Sequence, residues 1–423
     1  MGFQMQLSQK LVAPNSCTIL PKPSNAIRAP SMATESSKTR PEPKKTKQTP
    51  QSQSPLPTED SHLLPNLPFE IIVEILSRLS VKSLLRFRCV SKSWRSLISQ
   101  TEFAKTHLRL ASVNTDYTHH RLILQGPCSY VDFKSCSLYS VLNEKSDTAV
   151  ELDCPLKRTY SPVMVVGSCN GLVCIAADLE VIISNPSARK SKRLPNAETK
   201  SYNFLRYGFG YDESVDDYKV ARFFWDIHRE VEVMVYSLRT DSWRQIRGFP
   251  QFFPLDHFGT YLNGALHWTR FTKPNVIICL DLANETFGEV LEPDYRDGYS
   301  SRSLLNALNG CLCILCSYDY YSDIWVMKEY GIRESWTKLV VIPYVTHPSS
   351  GTPSSKPFYI LKNGEVLLNV YYTHLVRYNP KDGTSIYHVI HNCSESFVVY
   401  HYIENLVSPY IDADNGVQRQ HHY

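Results

Sequence analysis

The Asn-Gly dipeptide recurs along the last two thirds of this chain and constrains its fold more than any other feature. It stands between short alternating polar and apolar segments in "CNGLVCI", "LNGALHW", "LNGCLCI" and "KNGEVLL". Asn-Gly favours the two-residue turn of a β-hairpin, because both residues tolerate the positive φ that this turn requires. A second turn follows each dipeptide, in "ISNPSARK", "CLDLANETF", "MKEYGIRESW" and "RYNPKDGTS". The pattern therefore predicts a repeated unit of four antiparallel strands.

The repeat has the length of a propeller blade. Trp243, Phe287 and Trp336 follow the second turn of successive units at steps of 44 and 49 residues, close to one four-stranded blade. The segments "YGFGYDESVDDYKVARF" and "VYSLRTDSWRQI" supply both turns of another unit, and an irregular unit runs from "RLILQG" to "AVELDC". We expect about six blades between residues 119 and 405. Five or seven blades and a β-sandwich stay open, since short strands with frequent turns fit each of them.

A helical segment, "LPNLPFEIIVEILSRLSVKSLLRFRCVSKSWRSLI", precedes the strands. Its apolar residues recur at helical spacing after Pro68, which suits the first turn of a helix. Ser80 and Ser91 are placed to cap a second and a third helix. Three short helices in fewer than forty residues have more apolar surface than they can bury against one another, which predicts a partner protein.

The charge distribution argues against nucleic acid as that partner. The chain has 45 Lys and Arg against 41 Asp and Glu, and residues 1–60 hold 8 of the basic and 4 of the acidic groups. The rest of the chain therefore has 37 of each and lacks the basic field that displaces counterions from phosphates. No apolar run approaches the length of a membrane span.

Residues 1–60 contain nine prolines, many Ser and Thr residues and the run "RPEPKKTK". Such a composition buries too little apolar area to offset the entropy of ordering, so we expect a disordered tail. A transit peptide remains an alternative because the first acidic residue is Glu35. The basic run is a solvated linker or a nuclear import signal. We expect a cytoplasmic or nuclear location.

The twelve cysteines and the absence of a secretory signal indicate a reducing compartment with free thiols. Cys311 and Cys313 alternate along a predicted strand, so we expect small apolar residues on one face rather than a zinc site. The sequence has no nucleophile elbow, phosphate loop or metalloprotease motif. His267 lacks a nucleophile beside it and is expected to be structural. The sequence thus predicts a non-catalytic protein without a cofactor or metal.

The segment "LPFEIIVEILSRLSVKSLLRFRCVSKSW" resembles the F-box of plant F-box proteins, which docks onto a Skp-type adaptor of cullin-based ubiquitin ligases. The Leu67-Pro68 start, the I-L-x-x-L pattern and "FRCVSKSW" carry the resemblance. Ser80 departs from the family, which commonly has proline there, but either residue begins a helix. The "GFGYD" segment resembles the F-box-associated, kelch-like region of the same proteins.

The resemblance implies an α+β multidomain protein, with a small three-helix F-box followed by an all-β, kelch-like propeller. The expected boundaries are a disordered tail at 1–60, the F-box at 61–110, the propeller at 111–410 and a second disordered tail at 411–423.

The resemblance also implies a substrate-recognition subunit of a Skp-cullin-F-box ubiquitin ligase, partnered through the adaptor with a cullin and a RING subunit. The alternative is a propeller enzyme or small-ligand sensor tethered by its F-box. By analogy with the family, ten residues divide between the adaptor interface and the core of the motif: Leu67, Pro68, Ile71, Ile72, Leu76, Leu79, Leu84, Leu85, Val90 and Trp94. The basic side chains are expected to be a solvated face that steers an acidic adaptor: Lys82, Arg86, Arg88, Lys92 and Arg95.

Aromatic residues cluster in predicted loops of the β domain, and the chain has 26 tyrosines. Aromatic rings give large contact area for little loss of rotamer entropy, so they dominate binding hot spots. The leading candidates for binding the target protein lie in "SYDYYSDIW", between two predicted strands. The predicted target-binding residues are Tyr318, Tyr320, Tyr321, Trp225 and Phe253.

Overall fold

The structure is a computed structural model. It describes residues 67–126, 132–144, 146–154, 156, 162–197, 204–225, 231–249, 258–270, 276–294, 303–318, 321–343 and 355–410. All of them belong to one compact unit, Pro65–Tyr423. Both predicted tails lie outside the described residues. Among the helices that the structure describes, none is long and apolar enough to cross a membrane.

The helical segment folds as predicted and adds one helix. The four helices are α1 (Phe69–Leu76), α2 (Val81–Phe87), α3 (Lys92–Ile98) and α4 (Thr101–Val113). The predicted caps are confirmed, because the Ser80 and Ser91 side chains accept hydrogen bonds from the backbone N–H groups three residues on. The fourth helix was not predicted. One of its four buried residues is His107, which weakens the apolar periodicity, and Gln100 provides no side-chain cap.

The described strands that follow form six antiparallel units of four strands, and a short parallel pairing between the first strands of the third and fourth units joins these two into one eight-stranded sheet. We call these units blades and number them in chain order; blade 1 has β1 (His120–Gln125), β2 (Phe133–Ser137) and β4 (Val150–Glu151), with α5 (Leu138–Asn143) and β3 (Ser146–Thr148) between β2 and β4, and β25 (Val398–Ile403) completes it at the end of the domain. Blade 2 has β5 (Met164–Cys169), β6 (Leu172–Ala177), β7 (Glu180–Asn185) and β8 (Lys190–Arg193); blade 3 has β9 (Phe204–Asp212), β10 (Asp217–Trp225), β11 (Val231–Ser237) and β12 (Ser242–Ile246); and blade 4 has β13 (Phe258–Leu262), β14 (Ala265–Thr269), β15 (Val276–Asp281) and β16 (Phe287–Leu291). Blade 5 has β17 (Ser303–Leu308), β18 (Cys311–Ser317), β19 (Tyr321–Met327) and β20 (Trp336–Pro343), with a 3-10 helix at Arg333–Ser335, and blade 6 has β21 (Ser355–Ile360), β22 (Val366–Val370), β23 (His374–Asn379) and β24 (Thr384–His391).

The sheets form a closed propeller of six blades in the part of the chain that the structure describes, as predicted. The first strands of blades 2 to 6 and β25 neighbour one another in a ring. This arrangement excludes the β-sandwich. The last strand, β25, pairs with β1 along its whole length, so the two ends of the domain share blade 1. Between β2 and β4, the short β3 pairs instead with β24 of blade 6.

The Asn-Gly turns explain the local chain reversals. Asn170, Asn263 and Asn309 have φ values of 48°, 49° and 51°, and each is followed by a glycine at positive φ. These are the values that a type I′ hairpin turn requires. The fourth dipeptide differs, because only Gly364 has a positive φ. There the Asn363 side chain accepts a hydrogen bond from the Glu365 backbone N–H at 3.0 Å.

The aromatic residues that revealed the repeat connect neighbouring blades. Trp243, Phe287 and Trp336 lie in the fourth strands of blades 3, 4 and 5. The indole N–H of Trp243 donates to the Pro195 carbonyl at 2.7 Å, and that of Trp336 donates to the Leu291 carbonyl at 2.9 Å. Each tryptophan therefore bonds to the outer part of the preceding blade.

The strand order gives the propeller two distinct faces. In an antiparallel blade, the turns between strands one and two and between strands three and four lie at the same end. The F-box lies at this end, since α4 leads into β1, the second strand of blade 1, and Lys105 of α4 pairs with Asp216 in a first turn at 2.7 Å. We call this end the F-box face. The turns between strands two and three lie on the opposite face.

Candidate functional site

The F-box has a small core of its own. Its buried side chains are Leu76, Leu84, Leu97, Ile98 and Phe103. Leu406, which follows β25, packs against this cluster, so the F-box is seated on the propeller. Leu76 and Leu84 are 1% and 0% exposed. These two predicted adaptor-binding residues therefore lie in the core of the motif.

Several apolar side chains of the F-box lie outside this core and are exposed. Leu67, Phe69, Ile71, Ile75 and Val90 are between 45% and 62% exposed. Pro68 is also exposed, and the remaining predicted residues are half-buried: Ile72, Leu79, Leu85 and Trp94. Spacing left open which of the ten predicted residues face the core, because a pattern does not say which side of a short helix is buried, and Phe69 was not among the ten. Ile75 was visible in the I-L-x-x-L pattern.

The basic residues of the helices divide in two. Lys82, Arg86, Lys92 and Arg95 are exposed, in agreement with a solvated face. Arg88 is half-buried and lines a cleft between the F-box and the propeller.

Polar contacts join the F-box to the propeller. The Glu404 carboxylate, just after β25, accepts a hydrogen bond from the Val81 backbone N–H at 3.3 Å and lies 3.5 Å from Nδ1 of His119. Nε2 of His107 in α4 lies 2.8 Å from the Leu79 carbonyl oxygen. The first contact holds α2 against the end of the strand that closes the ring, and the second holds α4 against the turn between α1 and α2.

Three histidines lie beside this joint: His107 and His120 are buried, and His401 is half-buried. Nδ1 of His120 lies 2.9 Å from Nε2 of His401, and the two rings are stacked. Burial lowers the pKa of His120 to about 4 and the pKa of His401 to about 3. Burial also lowers the pKa of His107. The three rings are therefore neutral at pH 7, as a structural role requires.

The opposite face carries the predicted tyrosine turn. Tyr318 and Tyr321 flank the turn between β18 and β19, and the Tyr318 N–H donates to the Tyr321 carbonyl at 2.9 Å. Their rings stack at 4.6 Å, with Tyr318 packed against the blade core and Tyr321 37% exposed.

The other predicted target-binding residues are less fully described. Tyr320 and Phe253 lie outside the described residues, and Trp225 ends β10 with its side chain outside them.

A second tyrosine pair on this face was missed from sequence. Tyr371 and Tyr372 form the turn between β22 and β23 in blade 6, with φ values of 52° and 59°. Positive φ is uncommon for a bulky residue. Tyr371 packs against the core between blades 5 and 6, whereas Tyr372 is 42% exposed. The signal in the sequence was the "YYT" that follows the strand "VLLNV".

His267 is placed as the sequence predicted. It is fully buried, with Nδ1 3.1 Å from the Thr260 carbonyl oxygen and Nε2 2.6 Å from the Tyr330 hydroxyl. Burial lowers its pKa to about 4. The His267 ring therefore joins blades 4 and 5.

Cys311 and Cys313 lie in β18, as expected for residues of a strand.

Two domain families match the chain. Residues 64–106 match the F-box domain, and residues 128–409 match the F-box associated beta propeller domain. The chain is thus an F-box protein with a propeller as its second domain. It belongs to the plant F-box proteins that carry the F-box-associated β-propeller. Proteins of this kind are generally non-catalytic substrate receptors, and the F-box is the part that binds a Skp-type adaptor.

Similar proteins support this family assignment. An F-box/kelch-repeat protein of Arabidopsis thaliana is 34% identical over 81% of this chain and 96% of its own length. The F-box protein CPR1 of the same plant is 30% identical over 81% of this chain and 89% of its own length. Among solved structures, TolB from Acinetobacter baumannii matches with a TM-score of 0.41 and 10% identity over 71% of this chain and 69% of that one.

Proposed function

We propose that this protein is the substrate-recognition subunit of a Skp-cullin-F-box ubiquitin ligase. The F-box binds the adaptor and, through it, a cullin and a RING subunit, while the propeller presents a target protein for ubiquitination. This assignment implies a cytoplasmic or nuclear location. The observation that supports it best is the set of exposed apolar side chains of the F-box, which are not part of the core shared with Leu406.

The adaptor site is proposed to centre on Leu67, Ile71 and Ile75 rather than on the buried leucines. Removal of exposed apolar groups should weaken adaptor binding without opening a cavity in the core. We expect Leu67→Ala with Ile71→Ala to reduce capture of a recombinant Skp-type adaptor by the full chain about tenfold or more. Val113→Ala in α4 is the matched control, since Val113 is apolar and 62% exposed. Unchanged capture by the double variant would refute the docking surface.

Target recognition is proposed on the face opposite the F-box, where Tyr321 and Tyr372 are exposed on neighbouring blades. A target bound there stays clear of the adaptor. Tyr320, Trp225 and Phe253 remain predicted members of this surface.

The test is capture of proteins from plant extract, with adaptor binding measured in parallel. Tyr321→Ser with Tyr372→Ser should lower the yield of specific targets about tenfold and leave adaptor binding unchanged. Tyr387→Ser, on the outer strand β24 and 46% exposed, serves as the control. Undiminished ubiquitination of a captured target by the double variant would move recognition to another surface.

A further inference from the structure

A cleft of about 820 Å³ separates the F-box from the F-box face of blades 2 and 3. Its volume falls within the range of small-molecule sites. Leu85, Ile98 and Leu108 line it from the F-box, and Leu238 and Leu406 line it from the propeller. The cleft therefore offers apolar contact from both domains, as clefts between domains often do when they bind ligands.

The charges in the cleft do not balance. Four basic residues line it, namely Arg88, Lys105, Lys190 and Arg239, against two acidic residues, Asp216 and Asp217. Both carboxylates already have donors, because Asp216 pairs with Lys105 at 2.7 Å and Asp217 accepts from the Arg239 backbone N–H at 2.8 Å.

Three cations remain without a carboxylate partner among the described residues: Arg88, Lys190 and Arg239, whose guanidinium donates to the Val215 carbonyl oxygen at 2.9 Å. Arg88 and Lys190 are the two whose side chains have no such backbone acceptor in that part of the chain. Within the described residues, neither forms an ion pair with a carboxylate, although both line the cleft. Arg88 directly follows α2 of the F-box, and Lys190 begins β8 of blade 2. Arg88 is half-buried and Lys190 is exposed, so the charge of Arg88 is the less screened by solvent and attracts an anion more strongly.

We propose that this cleft binds a small organic anion, with a carboxylate or phosphate group on an apolar or aromatic body. Arg88 and Lys190 bind the acidic group, and the leucine side chains contact the body. Arginine suits this task because its guanidinium can donate two parallel hydrogen bonds to such a group. The site goes beyond target recognition and does not rest on the proposed function. Because both domains contribute, the ligand would stabilise their mutual orientation.

Fluorescence titration of the full chain with 8-anilinonaphthalene-1-sulfonate, an aromatic anion, tests the proposal. We expect saturable binding at one site, weakened about tenfold or more by Arg88→Gln with Lys190→Gln. The control is Arg86→Gln with Arg189→Gln, which removes the same charge from exposed neighbours outside the cleft and should leave the affinity unchanged.

Three results would overturn the proposal. Equal losses in both double variants would show only a general attraction to positive charge, and binding without saturation would show no site. A rise in affinity after truncation behind Tyr410 would show that residues 411–423 occupy the cleft instead.

Competition then identifies the acidic group. Displacement of the probe by 1-naphthoate or by 1-naphthyl phosphate, whichever is the stronger, assigns a carboxylate or a phosphate. Equal displacement by uncharged 1-naphthol would reduce the site to an apolar surface and refute the anion.

Discussion

The buried side chain of Asn405 holds the segment that follows β25 to blade 2. Its Oδ1 accepts from Nδ2 of Asn185 at 3.1 Å, and its Nδ2 donates to the Ile403 carbonyl at 2.8 Å. Gly171 makes room for this amide, because a Cβ there would overlap Nδ2 of Asn405. Glycine is therefore required at position 171 for two reasons: the backbone has a positive φ, and the Asn405 side chain approaches it closely.

We predict that Gly171→Ala is much more destabilising than Gly264→Ala. Both glycines follow an asparagine in a first turn and have φ values of 73° and 76°, so alanine costs about 1 kcal/mol of backbone strain at either. At Gly264 a Cβ meets nothing within 4 Å, whereas at Gly171 it displaces Asn405. Denaturant unfolding should show an additional loss of about 2 kcal/mol or more for Gly171→Ala. Equal losses would mean that Asn405 does not hold the ring closed.

The lowered pKa values of His120 and His401 predict a loss of stability in mild acid. The folded-state pKa values of His120 and His401 are about 4 and about 3, below the value of about 6.5 in an unfolded chain. The unfolded state therefore binds more protons, so the stabilisation is complete above pH 6.5 and declines as the pH falls toward 4. The groups facing these rings include His119, Lys362 and Tyr359.

The melting temperature, followed from pH 7 to pH 5, measures this decline. His120→Gln with His401→Gln should flatten the dependence on pH, whatever its effect on stability at pH 7. A dependence as steep as that of the parent chain would place the responsible protons on other groups.

At the scale of elements, the helix starts Ser80 and Ser91 have the same residue type but different backbones. Ser80 has a φ of −60°, which proline also adopts, whereas Ser91 has a φ of −152°. We predict that Ser80→Pro changes the free energy of unfolding by less than about 1 kcal/mol and leaves adaptor capture intact. Ser91→Pro should destabilise the F-box strongly. A damaging Ser80→Pro would show that this departure from the family matters.

The elements that could be predicted from the sequence are those formed by interactions between residues close together in the chain. Capping serines and Asn-Gly turns act within four residues, so three helices and the hairpins of blades 2, 4 and 5 could be predicted. The pairing of β3 with β24 could not, because it joins residues far apart in the chain. The same limit applies to the site. Leu76 and Ile75 are adjacent and both apolar, but only the folded F-box shows that one is buried and the other exposed.

At the scale of the molecule, closure of the ring depends on β25. This strand pairs with β1 from His120 to Gln125 and is flanked by the first strands of blades 2 and 6. Leu122 and Leu124 of β1 are buried in the core that includes Val399 of β25. Without β25, blade 1 would have an unpaired inner edge and exposed leucines, which invites aggregation.

A truncation series therefore gives the last prediction. Removal of residues 398–423 should abolish the cooperative thermal transition and the near-ultraviolet circular dichroism of packed aromatic rings, since it opens the ring. Removal of 411–423 should preserve both, because β25 and Asn405 remain. Removal of 1–60 should also preserve both, since that segment has no periodic apolar pattern. A cooperative transition that survived the first truncation would show that five blades and three strands fold without closure. A large fall in melting temperature in either of the other two would show that the predicted tail packs against the folded chain.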